Sequence, residues 1–364
     1  MSESTTALSE LTVWVADQLK SHGWQATAPL CLQPLTGDAG FRCYFRVDAG
    51  ASMLAVLSPP QTENNPVFVS YAEFLRDQGV HAPQIIAVDY ARGFLLLEDF
   101  GDQLYGSVIN AANAELLYGE AFMSLLRMQQ LPHVAVPSAH NSGEQTLGVY
   151  DQPTLRREMS LFHEWFIPQM LGHQLTSAEQ SMLDRVYDLL ENSALEQPQV
   201  WVHRDFHCRN LIHREGQAPG VIDFQDALWG PVTYDVVSLL RDCYVRWSPT
   251  QVRHWALTYA NMACDARVMA PVSDQQFLRW FDLMGLQRHI KVLGIFARLS
   301  LRDDKQGYRK DLPLVIRYTL EVAANYPELM AFTNWFEQTL LPLCEQQPWY
   351  SDYRLAGDSE GQRS

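Results

Sequence analysis

The stretch that decides the fold is His203-Arg204-Asp205-Phe206-His207-Cys208-Arg209-Asn210, with Ile222-Asp223-Phe224 shortly after it. Transfer of a phosphoryl group needs a carboxylate that orients and deprotonates the attacking hydroxyl, and oxygen ligands that hold Mg²⁺ on the nucleotide phosphates. Asp205, Asn210 and Asp223 supply these groups. The stretch therefore predicts a phosphoryl-transfer site with Asp205 as the catalytic residue and with Asn210 and Asp223 as metal ligands.

An accidental match is the alternative for this stretch, because Asp and Asn residues in loops often do no more than cap turns. Its surroundings favour a functional site. Apolar, strand-like runs precede the loop at 199–202 and the second aspartate at 220–222, which places Asp223 on a predicted strand from Gly220 to Phe224. Such a loop, followed by a metal-binding aspartate on the next strand, is typical of kinases.

The composition narrows the class of partner. The chain has 364 residues, is 47% hydrophobic and carries a formal net charge of −15, so we expect a folded chain large enough for two lobes. Nucleic acids and anionic membranes favour basic surfaces. We therefore expect small molecules as partners, with no nucleic acid, membrane or obligate protein partner. The first residues do not resemble a secretory signal and no apolar run approaches 18 residues, which predicts a cytoplasmic location.

Hydrophobic periodicity predicts two structural regions. Short apolar runs predict five antiparallel strands and two helices, the strands at 31–35, 43–47, 53–57, 85–88 and 94–97 and the helices at 8–23 and 68–79. Helical spacing dominates further on, at 107–130, 154–171, 177–192, 232–246, 274–299 and 312–341. The predicted fold class is α+β: a two-lobed protein-kinase-like fold, whose small lobe has an antiparallel sheet plus a helix and whose larger lobe is mostly helical.

The same pattern predicts the domain organisation. We assign residues 1–100 to an N-terminal nucleotide-binding lobe and residues 101–350 to a helical catalytic and substrate lobe. Residues 351–364 are polar and contain glycine, which predicts a flexible tail.

Two segments of the small lobe are candidates for binding ATP. One is a turn between the first two strands, where backbone amides can approach phosphate oxygens, formed by Gly37, Asp38, Ala39 and Gly40. A plain hairpin turn needs glycine there as well. The other is an interlobe linker whose backbone would meet the adenine edge, represented by Glu98 and Phe100. Its alternative is an ordinary edge strand and turn.

A basic residue is missing from its usual place in the sheet. Kinases normally carry a lysine on the third strand, paired with a helix glutamate, to hold the nucleotide phosphates. No lysine falls in the sheet region of this chain, whose lysines are Lys20, Lys291, Lys305 and Lys310. Arg42 and Arg46, at the second strand, are the candidates to replace it, because a guanidinium group is always charged and bridges phosphate oxygens bidentately. The sequence does not decide between them.

With these residues in place, the chain resembles the aminoglycoside phosphotransferase and choline kinase family. The resemblance covers nearly the whole chain and rests on the loop at 203–210, on Val221-Ile222-Asp223-Phe224-Gln225-Asp226 and on Gly230-Pro231-Val232-Thr233-Tyr234-Asp235. It implies that Asp205 is the catalytic aspartate, that Asn210 and Asp223 bind magnesium, and that Asp235 braces the catalytic loop. The missing strand lysine departs from the family pattern.

Two runs are similar to a narrower group, the bacterial amino-sugar kinases of peptidoglycan recycling. They are Asp223-Phe224-Gln225-Asp226-Ala227-Leu228-Trp229-Gly230-Pro231 and Gln287-Arg288-His289-Ile290-Lys291-Val292-Leu293-Gly294-Ile295-Phe296-Ala297-Arg298. This resemblance implies ATP- and Mg²⁺-dependent phosphorylation of the anomeric hydroxyl of N-acetylmuramate, N-acetylglucosamine or both. Asp226 would contact metal or sugar, or equally cap the turn before the next helix.

Charge patterning predicts the acceptor side of the site. Between Arg288 and Arg317 the chain carries eight of its 27 Lys and Arg residues, against an acidic background. Helical spacing would stack five of them on one face, namely Lys291, Arg298, Arg302, Lys305 and Arg309. This face is either a basic wall for a carboxylate or phosphate, or a solvated surface. Arg298 is its preferred substrate-binding residue, because it lies in an apolar run where a charge is costly unless it is paired or used.

His207 and Arg209 on the loop, together with Asp226, complete the substrate-binding candidates. Two alternative functions stay open. The first is a kinase of the same fold for another small alcohol, such as an amino alcohol, a nucleoside or an aminoglycoside, although the basic neighbourhood disfavours a polycationic aminoglycoside. The second is a non-catalytic nucleotide-binding regulator, suggested by the missing lysine. The three retained catalytic-loop and metal residues argue against it.

Overall fold

The computed structural model describes residues 3–24, 30–35, 41–47, 52–136 and 146–358. The strands are β1 (Leu32–Pro34), β2 (Cys43–Val47), β3 (Met53–Leu57), β4 (Ile85–Asp89), β5 (Phe94–Glu98), β6 (Gly148–Val149), β7 (Gln199–Val202), β8 (Leu211–Ile212), β9 (Gly220–Val221) and β10 (Leu228–Pro231). The α-helices are α1 (Glu3–Ser21), α2 (Asn65–Asp77), α3 (Tyr105–Val108), α4 (Ala114–Gln129), α5 (Gln152–Leu161), α6 (Ser177–Leu195), α7 (Tyr234–Leu240), α8 (Pro249–Asp265), α9 (Asp274–Arg302), α10 (Leu312–Ala323), α11 (Met330–Trp335) and α12 (Leu341–Glu345). Phe162–Met170 and Phe336–Leu340 are π-helical, and Gln306–Asp311, Pro327–Leu329 and Tyr353–Leu355 are 3₁₀ turns.

The chain forms two compact units. The first takes in Met1–Met128, His133–Leu147 and Arg209–Asp226, and the second takes in Gln129–Pro132, Gly148–Cys208 and Ala227–Ser364. This division differs from a single boundary at residue 100, because α3, α4 and the β8–β9 hairpin fall in the same unit as the N-terminal sheet. The assignment of separate functions to two lobes stays a prediction.

The first unit is built on a five-stranded antiparallel sheet with the strand order β1-β2-β3-β5-β4. β5 lies between β3 and β4 and reads Phe-Leu-Leu-Leu-Glu, and its four apolar residues are buried, as expected for an interior strand covered on both faces. On one face, α1 packs its apolar stripe against the inward residues of β2, β3 and β5, with Leu11, Trp14, Val15 and Leu19 against Val47, Met53, Ala55, Phe94 and Leu96.

The β8–β9 hairpin joins this unit through specific contacts. The backbone N–H of Val221 donates to the carbonyl of His81 at 2.8 Å. Gly220 lies directly against the Phe100 ring, where a Cβ atom would stand only 2.4 Å from the Cδ2 atom of the ring. Glycine is therefore the residue that fits, and the close approach fixes the hairpin beside the segment that leaves β5.

The second unit is mostly helical and is centred on α9. This helix is 29 residues long and buried over much of its surface, which makes it the axis of a large apolar core. Gly294 allows its close contact with the end of α5, since a Cβ atom there would lie 2.3 Å from the carbonyl carbon of Leu161. A small sheet with the order β6-β10-β7 supports the segment that follows β7.

Several predicted helices are shorter or interrupted. The helix predicted at 154–171 becomes π-helical after Leu161 and contains Pro168. The one predicted at 312–341 is interrupted after α10 by a 3₁₀ turn at Pro327–Leu329, and the one at 232–246 ends at Leu240. Proline explains two of these interruptions, because it cannot donate the helical hydrogen bond.

The predicted flexible tail is attached at least as far as residue 358. Asp358 forms ion pairs with Arg317 at 2.8 Å and Arg246 at 3.5 Å, and the two guanidinium groups are largely buried. Residues 359–364 lie outside the described part of the chain.

The α+β class is confirmed, with an antiparallel sheet and helix in one unit and a mainly helical second unit. Among the described residues, none of the helices combines the length and apolar character that a membrane span requires.

Candidate active site

The segment 203–208 follows β7 in the second unit and is shaped by Asp235, at the start of α7. One oxygen of Asp235 accepts the backbone N–H of His203 at 2.7 Å and the other accepts that of Arg204 at 2.9 Å. Arg204 has a φ of 80°, in the left-handed region that is strained for a non-glycine residue. Burial raises the pKa of Asp235 to about 7, while the two N–H donors favour the carboxylate. The two hydrogen bonds hold the turn that presents Asp205, as expected of a brace.

Asp205 is a half-buried carboxylate in a field of cations. Burial by itself raises the pKa of Asp205. Lys291 opposes this effect most strongly, followed by His207, Arg288 and Arg204, and the net result is a pKa below the usual value. Asp205 is therefore ionised at neutral pH and can accept a hydrogen bond from a hydroxyl group.

A buried network of charges underlies this field. Glu158 on α5 pairs with Arg204 at 2.5 Å and with Lys291 at 3.0 Å, and it accepts a hydrogen bond from the Tyr150 hydroxyl. The Lys291 ammonium also donates to the Tyr234 hydroxyl at 3.0 Å. Lys291 and Arg204 together hold the pKa of Glu158 at about 2, against the effect of burial.

Arg288 connects α9 to the backbone of the same segment. Its Nη1 donates to the carbonyl of Arg204 at 2.9 Å, and its guanidinium lies 4.7 Å from the centroid of the Tyr234 ring. Three cations, Arg204, Arg288 and Lys291, therefore lie around this segment together with three carboxylates, Asp205, Glu158 and Asp235. These positive and negative groups are equal in number, and the nearby cations keep Asp205 ionised.

The basic face predicted along α9 does not exist as one surface. Lys291 is buried in the Glu158 network, whereas Arg302 is exposed and pairs with Asp303 at 2.7 Å. Arg298 lies seven residues beyond Lys291 and is partly buried. Its Nε atom is buried without a hydrogen-bond partner in the described part of the chain. Burial, and then the nearby Arg302, lower the pKa of the Arg298 guanidinium.

The other predicted substrate-binding residues lie on either side of the unit boundary. The His207 ring packs edge-on against Tyr244 in the second unit, with the centroids 5.5 Å apart. Arg209 begins the segment that packs with the first unit and is partly buried, and Asp226 ends that segment and is exposed.

The two predicted metal ligands are neighbours in the first unit. β8 and β9 pair as an antiparallel hairpin, and the Ile222 N–H donates to the Asn210 carbonyl at 3.1 Å. This pairing places the Asn210 amide 3.2 Å from the exposed carboxylate of Asp223. Asp223 does not lie on the strand as predicted, because β9 ends at Val221. It adopts the left-handed region with a φ of 67°, which aspartate tolerates better than most residues.

This pair fits the donor set of Mg²⁺. The ion prefers oxygen ligands, and it is usually held by one or two carboxylates together with phosphates and water. Asn210 and Asp223 provide an amide oxygen and a carboxylate at one exposed point. Within the described residues, no cluster of three or more His, Cys, Asp or Glu side chains could hold a metal by itself. Two protein ligands are the number that oxygen sites for Mg²⁺ commonly supply, with phosphates and water filling the other positions.

The predicted nucleotide-binding residues also belong to the first unit. Arg42 pairs with Glu63, and Arg46 with Asp99 and Asp102. The backbone N–H of Glu98 is used within the sheet, where it donates to the Gln84 carbonyl at 2.9 Å. The Phe100 ring covers Gly220 and lies beneath the Arg214 guanidinium. The turn formed by Gly37, Asp38, Ala39 and Gly40 lies outside the described residues.

Sequence reasoning missed the contribution of α5 and underrated that of α9. Nothing in the sequence predicts a role for Glu158 and Tyr150, because a carboxylate and a tyrosine in an amphipathic segment are usually surface residues. Arg288 and Lys291 carried a signal, since two cations spaced i and i+3 inside a mostly apolar helix are costly unless they are paired.

An ionised carboxylate on one loop and an amide–carboxylate pair on the following hairpin are the groups that phosphoryl transfer requires. The chain belongs to the phosphotransferase enzyme family, whose model matches residues 32–273. This confirms the resemblance and the class of enzyme predicted from the sequence.

Individual proteins narrow the relationship. The chain is 42% identical over 335 residues to an N-acetylmuramate/N-acetylglucosamine kinase of Pseudomonas putida, covering 90% of this chain and 95% of that protein. It is 43% identical over 310 residues to the protein of the same name from Pseudomonas aeruginosa, covering 85% of this chain and 88% of that one. Among solved structures, an ADP-bound aminoglycoside phosphotransferase superimposes with a TM-score of 0.53 at 15% identity, covering 84% of this chain and 98% of that chain. The last similarity confirms the fold.

Proposed function

We propose that this protein is a cytoplasmic, ATP- and Mg²⁺-dependent kinase that phosphorylates the anomeric hydroxyl of N-acetylmuramate, N-acetylglucosamine or both. The observation that carries the choice of substrate is the identity to the two Pseudomonas kinases over most of both chains. The anomeric position rests on the resemblance to amino-sugar kinases of peptidoglycan recycling.

In this proposal Asp205 is the residue that acts on the sugar. Its carboxylate accepts a hydrogen bond from the hydroxyl and takes the proton as the hydroxyl oxygen attacks the γ-phosphorus of ATP. The bond from the γ-phosphorus to the bridging oxygen breaks, ADP leaves, and Asp205 later returns the proton to solvent. Lys291 and Arg288 keep the carboxylate ionised for this purpose. Alignment and charge stabilisation supply most of the rate enhancement.

Asn210 and Asp223 would hold Mg²⁺. The ion, when bound, neutralises charge on the β- and γ-phosphates. The turn formed by Gly37, Asp38, Ala39 and Gly40 would cover the phosphates, and Glu98 and Phe100 would line the adenine site. On the acceptor side, His207, Arg209, Asp226 and Arg298 would bind the sugar. The buried Nε of Arg298, which has no hydrogen-bond partner in the described part of the chain, supports its need for a ligand.

A panel of acceptors tests the substrate and the position of transfer. We expect Mg-ATP to yield phosphorylated N-acetylmuramate, N-acetylglucosamine or both, with a phosphate that mild acid releases, because an anomeric phosphate is a glycosyl phosphate. The measurement is ADP formation with each sugar, followed by acid hydrolysis of the product. An acid-stable phosphate would reject the anomeric position.

The same panel should contain choline, ethanolamine, a nucleoside and an aminoglycoside as competing acceptors. Phosphorylation of one of these with neither sugar turned over would show a kinase for another alcohol. Failure to transfer phosphate to any of these acceptors would reject the proposed function in every form.

Replacing Asp223 tests the metal site. Asp223→Asn keeps a side chain that tolerates the left-handed backbone but replaces a charged ligand by an amide. We expect the Mg²⁺ concentration for half-maximal activity to rise on the order of tenfold or more. Asp226→Asn is the matched comparison, expected to change the KM for the sugar and not the Mg²⁺ requirement. The reverse pattern would make Asp226 the metal ligand.

A further inference from the structure

We propose that Arg42, held by Glu63, replaces the missing strand lysine and binds the nucleotide phosphates, and that Arg46 does not. This assignment rests on the proposed function, since it needs a nucleotide. Both arginines belong to the first unit and lie four residues apart, at the start of β2 and within it. Their surroundings differ in the number of carboxylates, in unused donors and in position.

Arg46 is fully occupied by two carboxylates. Its Nε and Nη2 donate to Asp99 at 2.5 and 3.2 Å, and its Nη1 and Nη2 donate to Asp102 at 2.8 and 2.7 Å. One positive charge thus faces two negative charges, and the local net charge of −1 repels a polyphosphate. Asp99 is nearly buried, with a side chain 7% exposed, so it would lose its partner if Arg46 turned towards a ligand. Arg46 therefore ties β2 to the segment after β5.

Arg42 has one carboxylate partner and donor capacity left over. Its side chain is only 6% exposed, and its Nη2 lies 3.1 Å from a Glu63 oxygen. That contact lacks the alignment of a hydrogen bond, so Nη2 is a buried donor without a hydrogen-bond acceptor in the described residues. A buried donor without an acceptor is costly, and an incoming oxygen ligand removes the cost. The pair with Glu63 is electrically neutral and does not repel phosphate as the Arg46 cluster does.

The position of the Arg42 guanidinium is fixed from several sides. Its Nε donates to the Ser58 hydroxyl at 3.1 Å, and its plane lies over the Phe68 ring at 4.7 Å. Ser58 is itself held by Asn65, which accepts its hydroxyl hydrogen at 2.5 Å. A guanidinium held this way loses little conformational entropy when it binds a phosphate bidentately.

The same guanidinium is close to the candidate metal pair. The Phe68 ring under Arg42 stacks on the ring of Phe224 at 5.3 Å with an interplanar angle of 15°, and Phe224 directly follows Asp223. The Arg42 guanidinium is thus linked through two stacked rings to the residue next to Asp223, which carries the proposed metal-binding carboxylate.

Glu63 acts as the positioning residue, as the helix glutamate does in kinases that have the strand lysine. It reaches Arg42 from the segment between β3 and α2, and its other oxygen accepts the backbone N–H of Phe41 at 3.2 Å. Phe41 directly follows Gly40, the last residue of the predicted phosphate-covering turn. One carboxylate therefore orients the cation and ties down the backbone at the end of that turn.

The test measures binding of adenosine and of Mg-ATP by calorimetry, without sugar, in five proteins: wild type, Arg42→Ala, Arg42→Lys, Arg46→Ala and the control Arg92→Ala. Arg92 is an exposed arginine paired with Asp89 at the turn between β4 and β5. We expect Arg42→Ala to weaken ATP binding on the order of tenfold or more while adenosine binding stays within about twofold, because only the phosphate contact is lost. Arg42→Lys should recover part of the loss. Arg46→Ala and Arg92→Ala should change the ATP-to-adenosine affinity ratio by less than about threefold.

The outcomes separate this assignment from the proposed function. If Arg46→Ala weakens ATP binding selectively and Arg42→Ala does not, the assignment to Arg42 is wrong while the kinase proposal stands. The same conclusion follows if both variants weaken ATP binding equally. Loss of adenosine binding together with ATP in both Arg42 variants would also overturn it, because the residue would then be structural. A wild-type protein that binds no nucleotide would overturn the proposed function and this assignment together.

Discussion

Asp205→Asn is expected to lower kcat by roughly 10³-fold, the range in which loss of a positioned general base commonly falls. The substitution keeps the shape of the side chain but removes the charge that accepts the proton. The surrounding cations hold Asp205 ionised, so the wild-type group is in its active state across the neutral range. The measurement is steady-state turnover of the sugar substrate, with ATP affinity determined separately.

Binding of ATP should survive in this variant, because Asp205 is assigned to the acceptor and not to the nucleotide. Asp274→Asn is the matched control. It changes an exposed carboxylate at the start of α9 to the same amide and should leave kcat unchanged. Turnover in Asp205→Asn within about tenfold of wild type would overturn the role assigned to Asp205.

Glu158→Gln is expected to lower the free energy of unfolding by about 3–5 kcal/mol at neutral pH. Glu158 is 5% exposed, forms ion pairs with Arg204 and Lys291, and accepts a hydrogen bond from the Tyr150 hydroxyl. An amide in its place leaves two cations in low-dielectric surroundings without their partner. Urea unfolding measures the effect, and Glu164→Gln, which changes an exposed carboxylate in the π-helical segment after α5, serves as the control. A loss below about 1 kcal/mol would show that the network contributes little.

The pH dependence of this difference follows from the lowered pKa of Glu158. The folded-state pKa of about 2 lies below the ordinary glutamate value of 4.5, so the carboxylate stabilises the fold above pH 4.5 by about 3 kcal/mol. That contribution is lost as the pH falls towards 2. The stability difference between wild type and Glu158→Gln should therefore be full at pH 7 and shrink below pH 4.5. A difference that stayed constant down to pH 3 would contradict the ionised pair.

A double substitution separates the pair from other effects at the same position. Glu158→Gln combined with Lys291→Met removes the carboxylate together with one of the stranded cations. We expect it to recover at least about 1 kcal/mol relative to Glu158→Gln alone, because an unpaired buried ammonium is worse than an apolar side chain. Additive losses would argue that Lys291 and Glu158 do not act as a pair.

Local patterns predicted the strands of the first unit well. β2 and β3 begin and end at the predicted residues, because alternation and β-branched or aromatic content mark them directly. The helices of the second unit were harder to predict. A periodic pattern runs through Pro168 without revealing that the backbone changes to π-helical geometry there, and Asp223 leaves β9 because of a backbone conformation that no periodicity encodes.

The candidate site was predictable as a set of residue types and not as a set of partners. The spacing of residues in the loop at 203–210 and the position of Asp223 after it predicted the site. Arg42 and Arg46 looked equivalent, because their partners Glu63 and Asp99 come from segments whose positions only the folded sheet determines. Lys291 was expected on a solvated or substrate-facing surface, whereas Glu158, more than a hundred residues earlier in the chain, draws it into the core.

The left-handed backbone at Asp223 has a consequence for directed evolution. The carboxylate is exposed, and the left-handed backbone conformation costs on the order of 1 kcal/mol. Glycine would relieve this strain, and asparagine would tolerate it as well as aspartate does. A library selected only for thermal tolerance would therefore let this position drift to either residue without penalty, and phosphoryl transfer would decline while the melting temperature held or rose. Retention of aspartate in a library selected for activity as well would indicate selection for the proposed metal-binding role, because the backbone conformation at this position does not require aspartate.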